Sequence, residues 1–216
     1  FCFFTHFPDF LSSMSSPSLT PDPTGISEAM FFDIFINGRT IFKEIQMLPQ
    51  GSIICWNSRN SELSITPYYN YSFDSRKRVT ETDVGEQIAE RLENVLRKTY
   101  SDHFLLPLSG GVDSRLLAAA MTRVYGPENI TALSFAAHPK SYECVYAKEV
   151  CEILGIKDWQ THILTPDSYM RSLKYFPERF GGNLSVAHGH LFDGIKSRER
   201  DFKGMTLVSG AFADAV

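Results

Sequence analysis

Six consecutive residues, Ser109-Gly110-Gly111-Val112-Asp113-Ser114, combine groups that could hold a polyphosphate. They lie between an apolar run, His103 to Leu108, and an amphipathic stretch, Ser114 to Tyr125, a pattern that predicts strand, turn and helix. Paired glycines let backbone approach a phosphate with no Cβ in between. The helix that follows aims its unpaired N–H groups and positive dipole end at the same place. Ser109 and Ser114 add hydroxyl donors. Asp113 would repel a bare phosphate, so its presence implies a hard cation such as Mg2+ between the two. A glycine pair alone occurs in many plain βα turns, whereas Ser-Gly-Gly-x-Asp-Ser in this setting is far more specific. Neither Gly-x-x-x-x-Gly-Lys-Ser/Thr nor Gly-x-Gly-x-x-Gly is present, so neither a kinase-like phosphate loop nor a dinucleotide fingerprint is indicated.

The elements that must position this turn begin near residue 80. Asp83 with Glu86 three later suggests a capping box, and Val84, Ile88, Leu92, Val95 and Leu96 then recur at helical spacing. After the turn and its helix, Gly126-Pro127 is a stop. Strands are expected over Ile130 to Ala136, Gln160 to Leu164 and Thr206 to Val208. Helices are expected over Tyr142 to Leu154, Pro166 to Phe176 and His188 to Ser197, with Gly155 as a C-cap. Strands alternating with helices of this length predict an α/β domain, a doubly wound parallel sheet covered on both faces. Pro107 sits awkwardly there, because proline donates nothing to a ladder and favours edges.

Upstream the texture differs. Residues 11–25 are rich in Ser and Pro and read as a linker. Ile26 to Phe35 could form a short helix. Asn37-Gly38 and Leu48-Pro49-Gln50-Gly51 mark turns, and Ser52 to Trp56 and Ser64 to Tyr69 look like short strands. This is a small irregular β-containing segment with little core of its own.

Composition narrows the possibilities. With 43% apolar residues the 216-residue chain can bury a substantial core, and its net charge of −4 is scattered. No basic face for nucleic acid and no polybasic membrane patch is evident, nor an apolar run long enough to span a bilayer. Phe1 to Phe4 is apolar but lacks the basic leader and cleavage site of a signal peptide. Cys2, Cys55, Cys144 and Cys151 include no Cys-x-x-Cys pair, so they read as free thiols in a reducing compartment, the cytoplasm. Cys144 and Cys151 share one helical face and read as core. His188-Gly189-His190 lacks a nearby third ligand and reads as a polar loop or helix start, and His162 as a structural residue at a strand end.

The turn Ser109–Ser114 resembles the pyrophosphate loop of the N-type ATP pyrophosphatases, and its surroundings resemble the synthetase domain of asparagine synthetase. Gly38-Arg39-Thr40-Ile41-Phe42-Lys43-Glu44-Ile45 through Leu48-Pro49-Gln50-Gly51 is similar to the segment joining that family's glutaminase and synthetase domains. Glu143 through Tyr146-Ala147-Lys148-Glu149-Val150 to Leu154-Gly155 is similar to the helix after its second strand. Ser209-Gly210 through Ala213-Asp214 is similar to its second acidic loop. The resemblance runs from about residue 22 to the end. It implies residues 22–78 as the end of a glutaminase domain with its connection and 79–216 as the N-terminal part of the pyrophosphatase domain, with 1–21, by composition, a mobile or linker segment. The start at Phe1 and the stop at Val216 are expected to mark a fragment, weakly active by itself.

The resemblance implies an ATP-dependent ligase that adenylates a carboxylate, aspartate in the family, releases pyrophosphate and lets ammonia displace AMP. Ser109, Gly110, Gly111, Val112, Asp113 and Ser114 would hold the phosphates together with Ser209 and Gly210. Asp113 and Asp214 would be the catalytic pair holding Mg2+, and Leu133, Ser134 and Phe135 would line the adenine. Partners would be the carboxylate and ammonia, drawn from glutamine in the whole family, with a homodimer possible. Thr206 to Val208 followed by Ser209-Gly210 supports the aspartate pairing on its own, because both aspartates then lie beyond carboxyl ends of strands, where open α/β sheets bind ligands.

The second loop departs from the family's Ser-Gly-Glu-Gly-Ala-Asp-Glu-Leu. Ala211 and Ala215 stand at its glutamate positions and Phe212 at a glycine. Those glutamates help place the amino acid, so other acceptors stay open, as in β-lactam-forming or peptide-cyclising relatives. A degenerate nucleotide-binding interaction module is the remaining reading. The family's Asp-Glu-Pro stretch is not evident, Gly181-Gly182 standing near its place, and Cys2-Phe3-Phe4 does not match the Cys-Gly-Ile of a glutaminase nucleophile. An NAD or GMP synthetase would leave residues 38–51 unexplained.

Overall fold

The structure is a computed structural model that describes the chain except residues 1, 5–6, 15–17, 33, 71–79, 181–188 and 211–216. Of residues 176–180 and 189–192 it describes the backbone alone. The chain divides into two compact units, one of residues 1–78 with 176–186, the other of 79–175 with 187–216.

In the first unit, α1 spans Phe7–Ser13 and α2 Pro23–Phe32. Helix α2 begins three residues before the Ile26 expected from sequence. Pro23 suits a first helical position, and the Asp22 carboxylate accepts from the Thr24 N–H at 3.0 Å, so the start is capped there. Glu28 is buried, made tolerable by Arg39 at 2.8 Å and by the Ile36 N–H at 3.0 Å. Both residues of the Asn37-Gly38 turn adopt positive φ (55° and 74°). Thr40 to Phe42 make no strand; only a bridge joins Pro21 to Phe42. Strands β1 (Ser52–Asn57) and β2 (Glu62–Pro67) pair antiparallel, Ile54 opposite Ile65.

The second unit is the α/β domain. Helix α3 (Glu81–Leu96) starts one turn earlier than Asp83 and Glu86 suggested. The capping box is Thr80 with Asp83: the Thr80 hydroxyl accepts from the Asp83 N–H at 3.1 Å, and the Asp83 carboxylate accepts from the Thr80 N–H at 3.4 Å. Then follow β3 (Phe104–Pro107), α4 (Val112–Tyr125), a short 3-10 turn, β4 (Ile130–Ala136), α5 (Tyr142–Leu154), β5 (Asp158–Ile163), α6 (Pro166–Phe180, in this unit as far as Tyr175), α7 (Gly189–Lys196) and β6 (Thr206–Leu207). The sheet order is β5-β4-β3-β6, every pairing parallel.

Pro107 therefore lies on a central strand, and its lack of an N–H does no harm. The ladder toward β6 runs from Thr206 N–H to His103 O and from Val208 N–H to Leu105 O. Pro107 is the next residue facing that side, beyond the end of β6.

Alternation along the strands covers both faces, as a doubly wound sheet requires. Phe104, Leu106, Leu108, Ile130 and Ala132 pack with Leu96, Leu117, Met121, Ala147 and Cys151 of α3, α4 and α5. Leu105 and Leu133 meet Phe202, with Phe135, Ile195 and Met205 around them, on the opposite face. Of the apolar stripe on α3 only Leu92 and Leu96 enter the core, while Val84, Ile88 and Val95 are exposed. Among the described residues no helix is long and apolar enough to cross a membrane.

Cys144 and Cys151 are buried, and burial pushes the Cys151 thiol up to about 11. Cys2 and Cys55 are exposed. Thiol titration at mild alkaline pH should accordingly find Cys2 and Cys55 reactive in the native protein, with Cys144 and Cys151 joining only in denaturant. A second expectation concerns Gly194 on α7. Alanine in a helix normally gains about 1 kcal/mol over glycine. Here its Cβ would stand 2.5 Å from Phe135 Cε1 and 3.0 Å from the His162 ring. Overpacking of that kind costs about 1–3 kcal/mol. Gly194→Ala should thus lower the urea midpoint rather than raise it.

Candidate functional site

Strand β3 delivers the glycine turn directly from the sheet, because the Leu108 N–H still donates to Leu133 O at 2.9 Å. The turn is tied to itself by its serines. The hydroxyls of Ser109 and Ser114 lie 3.0 Å apart, the Ser109 N–H donates to Ser114 Oγ at 3.2 Å, and the Gly111 N–H donates to Ser109 Oγ at 3.1 Å. The two serines expected as phosphate donors are therefore also the frame of the loop. The Gly110 N–H donates to Glu143 Oε2 on α5 at 2.6 Å, and Arg115 Nε to Gly111 O at 3.2 Å.

Helix α4 opens on Gly111, which has no side chain to cap it. The first N–H groups of a helix have no intrahelical acceptor, so the Val112, Asp113 and Ser114 amides at the start of α4 are of the kind that can receive an anion. Neither glycine of the pair has a positive φ. A Cβ on Gly110 would meet Glu143 Oε2 at 3.5 Å and Tyr146 Cβ at 3.6 Å, ordinary contacts, and one on Gly111 would meet only the Ser109 hydroxyl at 3.2 Å. Among the described residues, backbone conformation and packing make little demand for glycine at Gly110, while at Gly111 the Ser109 hydroxyl would have to give. A glycine pair leaves the backbone open to close approach.

The second loop arrives beside the first. Ser209-Gly210 follows β6, and a Cβ placed on Gly210 would stand 3.6 Å from the carbonyl and Cβ of Asp113. Sheet order makes this juxtaposition. From β3 the chain proceeds through β4 to β5 on one side and returns to β6 on the other, so the loops after β3 and β6 part at a topological switch point, where open α/β sheets bind ligands. Asp113 is exposed at this point. Asp214, with Ala211, Phe212 and Ala215, lies outside the described residues, as does His188. Among the described residues no group of three or more metal-ligating side chains occurs. Mg2+ needs none, since it takes one or two carboxylates together with substrate phosphates. Asp113 beside the amide-lined turn fits that requirement.

The three residues expected against adenine are placed differently from one another. Leu133 and Ser134 are fully buried. The Ser134 hydroxyl donates to Leu108 O at 2.8 Å and accepts from Trp159 Nε1 at 2.9 Å. Their side chains serve the core, leaving half-buried Phe135 as the side chain of the three nearest to solvent. At the end of β5, His162 stands 3.6 Å from Asp193, which also pairs with Arg171 at 3.3 Å. His162 is expected from sequence to be structural, and nothing along the chain marks Asp193, Arg171 or Glu143. Pairing over 22 and 33 residues leaves no spacing signal in the chain.

A doubly wound α/β domain with an uncapped helix start and a glycine pair at its switch point belongs to the broad class of Rossmann-like domains. More narrowly, the chain belongs to the NAD synthase family: that family's model matches residues 84–201, more than half of the chain. Over 77 residues it is 39% identical to a probable asparagine synthetase (glutamine-hydrolyzing) of Acanthamoeba polyphaga mimivirus, covering 35% of this chain and 13% of that one. The chain thus spans a small part of that relative's length. Among solved structures, an NH3-dependent NAD synthetase from Campylobacter jejuni in complex with nitrate aligns at TM-score 0.39 and 18% identity over 60% of this chain and 56% of that one. A glutamine-dependent NAD+ synthetase from Acinetobacter baumannii in complex with ADP aligns at TM-score 0.44 and 13% identity, over 72% and 29%. The family match corrects the ranking drawn from sequence, which set NAD synthetase behind asparagine synthetase; the two stand level.

Gly110→Ala isolates the ligand argument from the fold. With only ordinary contacts awaiting its Cβ, the variant should unfold within about 0.5 kcal/mol of wild type. Its affinity for Mg-pyrophosphate should fall about tenfold by titration calorimetry, because the added methyl disturbs the approach of the ligand to the turn.

Proposed function

We propose that the chain is the nucleotide-cleaving part of an ATP-dependent, amide-forming ligase, which activates a carboxylate as its adenylate, releases pyrophosphate and lets ammonia displace AMP. The observation that carries this reading is the meeting of the uncapped start of α4 with the Ser209-Gly210 loop at Asp113. In this reading the amides of Val112, Asp113 and Ser114 hold the outer phosphates, and Gly110 and Gly111 allow the triphosphate to lie against the backbone. Ser109 and Ser114 keep the turn in shape and add hydroxyl contacts. Donors fixed before the reaction stabilise charge as it builds on the departing pyrophosphate, with no reorganisation at that moment. Asp113 and Asp214 are the residues that would hold Mg2+, which supplies charge neutralisation for the leaving group. Phe135 would face the adenine, with Leu133 and Ser134 shaping the strand end behind it, and Ser209 and Gly210 would close the phosphate side.

Two acceptors are favoured by separate observations. Membership of the NAD synthase family favours the carboxylate from which an ammonia-dependent synthetase would form the carboxamide of NAD. The identity to a probable asparagine synthetase, with the resemblance of residues 38–51, favours aspartate. Both share the same first half-reaction, so the loop itself does not distinguish them.

Pyrophosphate release from Mg-ATP, measured in parallel with aspartate and with the carboxylate precursor of NAD, separates the acceptors. Asp113→Ala should reduce that release at least a hundredfold, with circular dichroism unchanged because Asp113 is exposed. Activity retained in this variant would defeat the assignment of the loop. Wild-type protein that neither binds Mg-ATP nor releases pyrophosphate would favour a degenerate module.

A further inference from the structure

We infer that Glu143 is a positioning residue for the phosphate turn, holding the β3–α4 loop against α5 by accepting the Gly110 N–H. The inference rests on the reading of that turn as a phosphate site. A Gly-Gly turn has the least conformational restraint a chain can have, and ordering it costs more than ordering any other pair. The serine contacts tie the turn to its own ends. The tie to a neighbouring βα unit within the loop is the Glu143 bond, 2.6 Å long and spanning 33 residues.

The geometry suits a tether. Glu143 is the second residue of α5, in the first turn, where a carboxylate is favoured by the helix dipole. The N-cap of α5, Ser141, makes no side-chain cap bond, so the start of α5 is open to an acidic side chain. The loop packs there, Gly110 facing Glu143 and Tyr146. Arg115 holds the opposite carbonyl of the pair, at Gly111. One glycine is thus held through its N–H by α5 and the next through its C=O by α4. With Gly110 committed to Glu143, the donors left for phosphate are those of the helix start. The turn is then aimed before ligand arrives, and the entropy of ordering it is not charged to binding.

The alternative role for a carboxylate on this amide is competition, an internal anion that phosphate must displace. Two substitutions separate the roles. Glu143→Gln keeps an oxygen acceptor for the Gly110 N–H and removes the charge; Glu143→Ala removes both. A positioning role predicts Mg-ATP affinity about tenfold weaker in Glu143→Ala and restored to within about twofold by Glu143→Gln. Amide hydrogen exchange in the full chain without nucleotide should show Gly110 protected in wild type and Glu143→Gln, and unprotected in Glu143→Ala. Equal or tighter Mg-ATP binding by Glu143→Ala overturns the inference, as does a Gly110 amide that exchanges alike in all three proteins. Wild type with a protected Gly110 amide but no affinity for Mg-ATP overturns the phosphate reading and leaves the tether standing.

Discussion

The start of α4 is the constraint on which the rest of the α/β domain is arranged. A helix must present its first N–H groups unpaired, and unpaired amides are tolerated only where water or a ligand can reach them. Strand β3 brings this start to the carboxyl edge of the sheet, and the buried face of α4, through Leu117, Ala118 and Met121, fixes its direction against the strands. No side chain at Gly111 competes for the amides. The open amides are therefore a by-product of anchoring a helix firmly at one end while leaving it open at the other.

Two features keep that open end from collapsing. The paired hydroxyls of Ser109 and Ser114 close the turn on itself, and the buried Ser134 links Leu108 to Trp159, tying three neighbouring strands just beneath it. A hydroxyl buried in this way would be costly if unsatisfied, so the network also discriminates against slipped pairings. The floor and the roof of the turn are built from different chemistry: aliphatic packing below, charge-assisted contacts from Glu143 and Arg115 above.

The chain matches an NAD synthase family model and also shares identity with a probable asparagine synthetase. Fold by itself does not choose between such functions, because function is set by the particular groups placed on a fold.

Much of the α/β unit was legible along the chain. Ile130 to Ala136 and Tyr142 to Leu154 have the bounds their periodicity suggested, with Gly155 at φ 75° ending the helix. Those signals are local, since side-chain period, caps and breakers act within a few residues. Ends governed by a competing cap shifted, as at Thr80 and Pro23. The glycine turn, its strand and its helix were likewise written in contiguous residues, and so was the chemistry they suggest. Only tertiary structure decided that β6 returns beside β3, which sets Gly210 against Asp113, that Pro107 can occupy a central strand, that Leu133 and Ser134 belong to the core, and that Glu143 reaches Gly110. Strand order and contacts across 26 or 33 residues depend on which faces bury together in three dimensions, and no short-range pattern encodes that.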